Sequence, residues 1–206
     1  MGYTLHNRPG SGGFVVEAAL TLADALFTLI EFDSRAGTPL PESFRETNPW
    51  RQLPTLILPD GSTMTETSAI LVHLAHCFPD KHLGPPPGTP AHGAFLRWLV
   101  FANVNLYEAV LRQSYPFRFT DDPAGHDALR SAAIRRMGEA MAVIDAHVAG
   151  PFLLGNEMTV ADIYIVMFLA WRRDDVETPR IARIAETVRQ HPVVGPIWRR
   201  HFGGCP

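Results

Sequence analysis

The sequence predicts two domains, an α/β domain that opens the chain and an all-α domain that follows it. Over residues 1–78, short strand-like apolar segments alternate with helical patterns. Residues 79–90 then hold five prolines and two glycines, which neither continue a helix nor pair inside a sheet. From residue 91 to residue 206 the chain is helical in pattern. We therefore expect a Pro/Gly-rich linker between the two domains.

The elements of the first domain follow one another closely. The turn residues Pro9-Gly10 separate a first strand from a first helix, and Asp60-Gly61 is typical of a tight hairpin. These signals predict the order β-α-β-α-β-β-α, with strands over residues 3–6, 26–32, 54–58 and 62–64 and helices over residues 14–25, 42–47 and 66–78; residues 33–41 form a loop.

The second domain is predicted from its helix start signals. Asp122 and Pro123 are suited to the N-cap and the first position of a helix, and Thr159 with Asp162 forms a variant of the capping box. The predicted helices cover residues 91–115, 123–149, 159–171, 179–190 and 193–201.

Composition excludes several function classes. The 206 residues are 46% hydrophobic and carry a net charge of −3, which disfavours nucleic acid as a main partner. Cys77 and Cys205 are far apart and lack metal-type spacing, as expected in a reducing compartment. The first residues lack the apolar core of a signal peptide, and we expect the apolar stretches to end before the ~18 residues of a membrane span. We expect a soluble, cytoplasmic protein without membrane partners.

Three motifs, taken in order, resemble the glutathione transferase superfamily. They are Leu53-Pro54, residues 64–70 and residues 155–162, and the Pro9-Gly10 opening is most similar to bacterial branches. The resemblance covers essentially the whole chain. It implies a thioredoxin-like glutathione-binding domain over residues 1–78, the linker over 79–90, and an all-helical domain over 91–206 that forms a pocket for an electrophile.

The resemblance also implies the residues that hold glutathione. A cis bond at Leu53-Pro54 turns the backbone of Leu53, beside Gln52, toward the cysteinyl part of the ligand. Glu66 and Thr67 start a helix, where free N–H groups attract the glutamyl carboxylate. From local pattern alone, the proline fits an ordinary trans bond and the polar residues fit a helix cap.

Ser11 is the candidate catalytic residue. A free thiol has a pKa of ~8.5, so transfer of glutathione requires a group that stabilises its thiolate. The family places that group after the first strand, where Ser11 is the only hydroxyl and Asn7 and Arg8 are polar neighbours. Gly12 stands where the beta-class pattern has cysteine. Two alternatives remain: the amides of Gly12 and Gly13 stabilise the thiolate, or Ser11 only caps the helix.

Polar residues of the next helix are candidates for the electrophile pocket, namely Asn105, Tyr107 and Tyr115. A metal site is not expected. His73, His76 and Cys77 share one predicted helix, but no second ligand motif accompanies them.

The leading functional hypothesis is an enzyme of detoxification, a transferase that conjugates glutathione, as co-substrate, to small hydrophobic electrophiles. The alternatives are a glutathione-dependent isomerase, peroxidase or dehalogenating lyase, and a non-catalytic binding or scaffold protein of the same fold. The resemblance further implies a homodimer.

Overall fold

A computed structural model describes residues 2–33 and 39–203. Cys205 and part of the predicted loop over residues 33–41 lie outside these residues. The α/β part follows the predicted order, with β1 Tyr3–Asn7, α1 Gly13–Leu22, β2 Phe27–Glu31, α2 Phe44–Thr47, β3 Thr55–Ile57, β4 Thr63–Met64 and α3 Thr67–Cys77. The helical part contains α4 Pro90–Phe101, α5 Glu108–Ser114, α6 His126–Ala146, α7 Val160–Met167, α8 Pro179–Gln190 and α9 Val194–Phe202.

The four strands form one mixed sheet in the order β2-β1-β3-β4. β1 is parallel to β2 and antiparallel to β3, with His6 opposite Thr55. β3 is antiparallel to β4, with Leu56 opposite Met64. The end of β1, the start of β3 and the end of β4 therefore meet at one edge of the sheet.

Contacts divide the chain into two compact units. One unit contains the residues up to Pro87 together with those from Val188 onward, and the other is Gly88–Thr187. In the first unit, α1 packs on β1, α3 and α9, and Phe14 is fully buried. Its ring meets Trp198 and Phe202 edge to face, with ring centres 5.4 and 5.2 Å apart. The end of the chain is thus part of the core that supports the sheet.

In the second unit, the predicted long helix over residues 91–115 is interrupted. Between α4 and α5, residues Ala102–Tyr107 form a π-helical turn. The wider turn places Asn103 where its side chain accepts a hydrogen bond from the Tyr164 hydroxyl, at 3.2 Å. Such turns insert a residue into a helix and re-aim its neighbours, and nothing in the apolar spacing indicates this one.

One helical run among the described residues, Pro90–Ser114, is 25 residues long and apolar enough to cross a membrane by length and composition. This corrects the expectation that every apolar stretch ends before about 18 residues. Core helices of globular proteins meet the same two criteria, so the finding alone does not place this run in a membrane.

The predicted capping box is present at the start of α7. The Asp162 carboxylate is buried and accepts hydrogen bonds from the Thr159 amide at 2.8 Å and from the Leu153 amide at 2.7 Å. The same side chain therefore caps the helix and fixes the loop that precedes it.

Replacing Asp162 with Ala should lower the free energy of unfolding by about 2–4 kcal/mol. The variant loses a helix cap and leaves the buried amides of Leu153 and Thr159 without an acceptor. Urea unfolding monitored by circular dichroism measures this loss. The exposed Glu157→Ala is the control, and equal stability of the two variants would contradict the role of Asp162.

Candidate functional site

The edge of the sheet defined above brings together the first loop and two of the three sequence motifs, Leu53-Pro54 and residues 64–70. β1 ends at Asn7 and leads into the first loop, Arg8–Gly12, before α1. Pro54 directly precedes β3, and Glu66 lies between β4 and α3. The pairing of the strands thus brings these three connections together, although they are up to about sixty residues apart in the chain.

The Leu53-Pro54 peptide bond is cis, which confirms what the resemblance implies. Pro54 is buried and Leu53 is half-buried. The turn before them is held by Asn48, whose buried amide donates to the carbonyl of Gln52 at 2.9 Å and to the Thr55 hydroxyl at 3.0 Å. The side chain of Gln52 is exposed.

The start of α3 is the second connection at this edge of the sheet. Glu66, the N-cap residue, adopts a left-handed backbone with φ of 65°, and its side chain makes no capping hydrogen bond to the helix. The next residue, Thr67, is buried. A helix start leaves N–H groups without intrahelical partners, and its dipole favours negative charge. Glu66 does not cap the helix through its side chain, and the alternative that the polar residues of this segment only cap the helix stays open.

Ser11 is engaged by its neighbours in the first loop. Its hydroxyl donates to the Asn7 side-chain oxygen, with Oγ and Oδ1 2.9 Å apart. Its oxygen also accepts from the Gly13 amide at 3.3 Å, so Ser11 holds the first residue of α1. The capping alternative for Ser11 thus has a structural basis, and it leaves open whether the same hydroxyl reaches a ligand.

The backbone of the loop supplies a second kind of donor. The Ser11 amide donates to the Arg8 carbonyl at 3.1 Å. Among the hydrogen bonds of the described residues, none uses the amide of Gly12, which is the N-cap of α1. Both accounts of thiolate stabilisation, by Ser11 and by the amides, thus retain a candidate donor.

The buried polar pair Glu17 and His201 contacts this loop through His201, which lies on α9. The Gly10 amide donates to Nδ1 of His201 on α9, at 3.3 Å. With Nδ1 accepting from Gly10, the ring donates from Nε2 to the Glu17 carboxylate at 3.0 Å. Glu17 also pairs with Arg200. Burial raises the pKa of Glu17, but hydrogen bonds from His201 and Arg200 outweigh burial and hold this pKa below its usual range.

The three residues predicted for the electrophile pocket all lie in the second unit. Asn105 donates to the Phe101 carbonyl of its own helix at 3.0 Å. Tyr107 meets Trp171 edge to face, with ring centres 5.8 Å apart. The Arg118 guanidinium lies 4.4 Å above the ring of Tyr115. These contacts fix each side chain separately, and their role in a pocket stays a prediction.

Sequence reasoning missed Asn48 and His201. Asn48 precedes a proline, a pattern that indicates only a turn. His201 lies in the last helix, and its contacts with Gly10 and Glu17 join residues more than 180 positions apart. No local pattern in a single sequence carries such a contact.

The chain is similar to known proteins of the glutathione S-transferase family in a family model and in sequence. Residues 15–77 match the family model described as the N-terminal domain of glutathione S-transferase. An uncharacterized GST-like protein of Escherichia coli K12, YncG, is 28% identical over 205 residues, which cover 96% of this chain and 97% of that protein.

Two solved structures are similar throughout. A sphingomonad glutathione S-transferase complexed with glutathione has a TM-score of 0.80 and 28% identity, covering 95% of this chain and 97% of that one. A glutathione transferase homologue from Sulfitobacter with bound glutathione has a TM-score of 0.86 over 97% of this chain and 98% of that one, at 20% identity. The predicted fold class, a thioredoxin-like domain followed by helices, is confirmed.

Replacing Glu17 with Gln should lower the free energy of unfolding at pH 7 by roughly 1.5–3 kcal/mol, the value of hydrogen bonds to a charged group. Because the pKa of Glu17 is lowered on folding, its contribution is present above the pKa of the unfolded chain and is lost as pH falls through the folded-state pKa. The difference between the two proteins should therefore shrink on acidification.

Chemical unfolding at pH 7 and at successively lower pH measures this difference. The exposed Glu186→Gln is the matched control and should change little at any pH. A deficit in Glu17→Gln that stays constant as the pH falls would contradict the hydrogen bonding of a charged Glu17 carboxylate by His201 and Arg200.

Proposed function

Because the chain belongs to the glutathione S-transferase superfamily, we propose that it binds glutathione at the end of β1 and transfers the glutathione thiolate to a small hydrophobic electrophile. The start of α3 carries the proposal most strongly. It combines a left-handed Glu66 without a capping hydrogen bond and a buried Thr67, beside the cis bond at Leu53-Pro54. The sphingomonad glutathione S-transferase complexed with glutathione supports the choice of ligand.

The glutamyl and cysteinyl parts of glutathione have matching groups on this edge. The glutamyl carboxylate accepts hydrogen bonds from the amide and hydroxyl of Thr67, and its ammonium group meets the exposed carboxylate of Glu66. The cysteinyl backbone pairs with that of Leu53, next to Gln52, as a further strand pairs with a sheet edge. The sulfur then lies toward the first loop, where Ser11 or the amide of Gly12 donates to it.

The remaining parts of the proposal concern the whole chain. Residues 1–78 form the glutathione-binding domain, residues 79–90 the linker, and residues 91–206 the helical domain, in which Asn105, Tyr107 and Tyr115 contact the electrophile. A cytoplasmic location, where thiols stay reduced, suits this chemistry and a role in detoxification.

A second candidate is a glutathione-binding protein without transferase activity. The observation that favours it is the hydrogen bond from Ser11 to Asn7, which uses the one hydroxyl hydrogen of the loop inside the protein. Because catalysis requires interactions that strengthen in the transition state, a donor that stays on Asn7 contributes nothing to the rate.

Retention on immobilised glutathione, followed by assay against a panel of electrophiles, tests both candidates. The leading proposal predicts retention and conjugation of at least one electrophile. The second candidate is favoured if the protein is retained but shows none of four activities: conjugation, isomerase, peroxidase or dehalogenating activity. A protein that is not retained on immobilised glutathione would overturn both candidates.

We also propose that the protein forms a homodimer through α4 and the π-helical turn. Val100 and Val104 lie one helical turn apart and are 57% and 58% exposed. They line a groove of about 520 Å³ together with Leu96, Phe101, Arg97 and Asn105. Exposed apolar side chains bordered by polar ones are typical of a protein interface, and the family is usually dimeric.

Replacing Val100 with Lys should place a charge in this interface and shift the protein from dimer to monomer. Light scattering coupled to size-exclusion chromatography measures the mass. Val143→Lys, which changes a comparably exposed valine on α6, is the control and should leave the dimer intact. A monomeric wild-type protein, or a Val100→Lys dimer as stable as the wild type, would contradict this interface.

Replacing Thr67 with Ala should weaken glutathione binding by about 1–2 kcal/mol, or roughly five- to thirty-fold, because one hydrogen bond to the ligand carboxylate is lost. Isothermal titration calorimetry measures the affinity. Thr63→Ala, at an exposed position of β4, is the matched control. Equal affinities of Thr67→Ala and the wild type would contradict the binding of the glutamyl carboxylate at the start of α3.

A further inference from the structure

Asn7 has an unusual environment at the end of β1. Its side chain is fully buried, and its Oδ1 accepts the hydroxyl hydrogen of Ser11. Its amide nitrogen, Nδ2, is buried without a hydrogen-bond partner among the described residues. A buried N–H group left in this way costs about 1–3 kcal/mol, so such groups call for an explanation.

The start of α1 is shaped around this side chain. A Cβ atom at position 13 would lie 1.8 Å from the Asn7 Oδ1 and 2.4 Å from its Cγ. Any residue other than glycine would therefore displace the Asn7 carboxamide. Gly13 admits the Asn7 side chain beneath the helix start, so the contact between Asn7 and Ser11 is built into the local backbone.

We propose that Asn7 is a positioning residue that turns the Ser11 hydroxyl toward the sulfur of bound glutathione. The step is a half-turn of the carboxamide, which exchanges the places of Oδ1 and Nδ2. Nδ2 then donates to the Ser11 oxygen, which already accepts from the Gly13 amide. With two donors on its oxygen, Ser11 directs its own hydrogen to a third group.

The half-turn accounts for the unpaired nitrogen. Before it, Ser11 donates to Asn7 and Nδ2 has no partner; after it, Nδ2 is paired and the Ser11 hydrogen is free. The exchange leaves Oδ1 without its donor, and an unpaired carbonyl oxygen is tolerated more often than an unpaired N–H. A hydrogen bond to a thiolate is charge-assisted and roughly twice as strong as a neutral one. A bound thiolate therefore favours the turned state, whereas the unliganded protein keeps the hydroxyl on Asn7.

This inference rests on the proposed function, because glutathione supplies the thiolate. It deepens that function by explaining how a serine that is hydrogen-bonded inside the protein becomes a donor to a ligand. It also separates two roles in the first loop, since Ser11 contacts the sulfur and Asn7 acts only through Ser11. His201, which is hydrogen-bonded to Glu17, contacts the same loop at Gly10, and the test leaves both residues unchanged.

The test is a double-mutant cycle on the pKa of bound glutathione, measured from the thiolate absorbance against pH. Asn7→Asp keeps the shape of the side chain but has no N–H, so it holds the Ser11 hydroxyl and should raise the pKa of the bound thiol by about 1–2. Asn7→Ser removes the carboxamide without adding charge and should raise this pKa as well. Ser11→Ala should raise it by a similar amount.

In the Ser11→Ala background, Asn7→Ser should cause no further change, because Asn7 acts through Ser11. Asn156→Asp, at an exposed position, is the control for an added carboxylate. An Asn7→Ser pKa equal to that of the wild type, or an equal effect with and without Ser11, would overturn the positioning role. Wild-type protein that fails to bind glutathione would instead overturn the proposed function itself.

Discussion

The antiparallel pairing of β1 with β3 is the constraint on which the candidate site depends. Because His6 lies opposite Thr55, the first loop after Asn7 and the cis bond before β3 must lie side by side. The pairing of Leu56 with Met64 then brings the start of α3 to the same edge. A shift of this register by one residue would reverse the faces of β3 and separate the three connections.

Buried polar contacts give the first loop its conformation. Apolar packing positions α1 and α9, but it does not orient individual N–H groups, which need specific partners. His201 accepts a hydrogen bond from the Gly10 amide and donates one to Glu17, so α9 holds the loop in place. Asn7 and Gly13 shape the other side of the loop. Substitutions far from Ser11 in sequence therefore affect the geometry around it.

Much of the fold followed from local signals. Turn residues such as Asp60-Gly61 and the capping pair Thr159 and Asp162 act over a few positions, and the structure contains the elements that they predict. The π-helical turn at Ala102–Tyr107 was not predictable from the apolar spacing, and it contains Asn103, which accepts a hydrogen bond from the distant Tyr164. The role of His201 was not predictable either, because its contacts with Gly10 and Glu17 join residues that are far apart in the sequence. The motifs at Pro54 and Glu66 led to a predicted ligand site, whereas no sequence pattern predicted the hydrogen bond between Asn7 and Ser11.

A crystal structure of the protein with glutathione tests the central claim most directly, namely that the edge formed by β1, β3 and α3 is a glutathione site. The account predicts the glutamyl carboxylate on the Thr67 amide, the cysteinyl backbone paired with Leu53, and the sulfur within hydrogen-bond distance of Ser11 Oγ. Glutathione bound elsewhere, with the start of α3 unoccupied, would contradict the account.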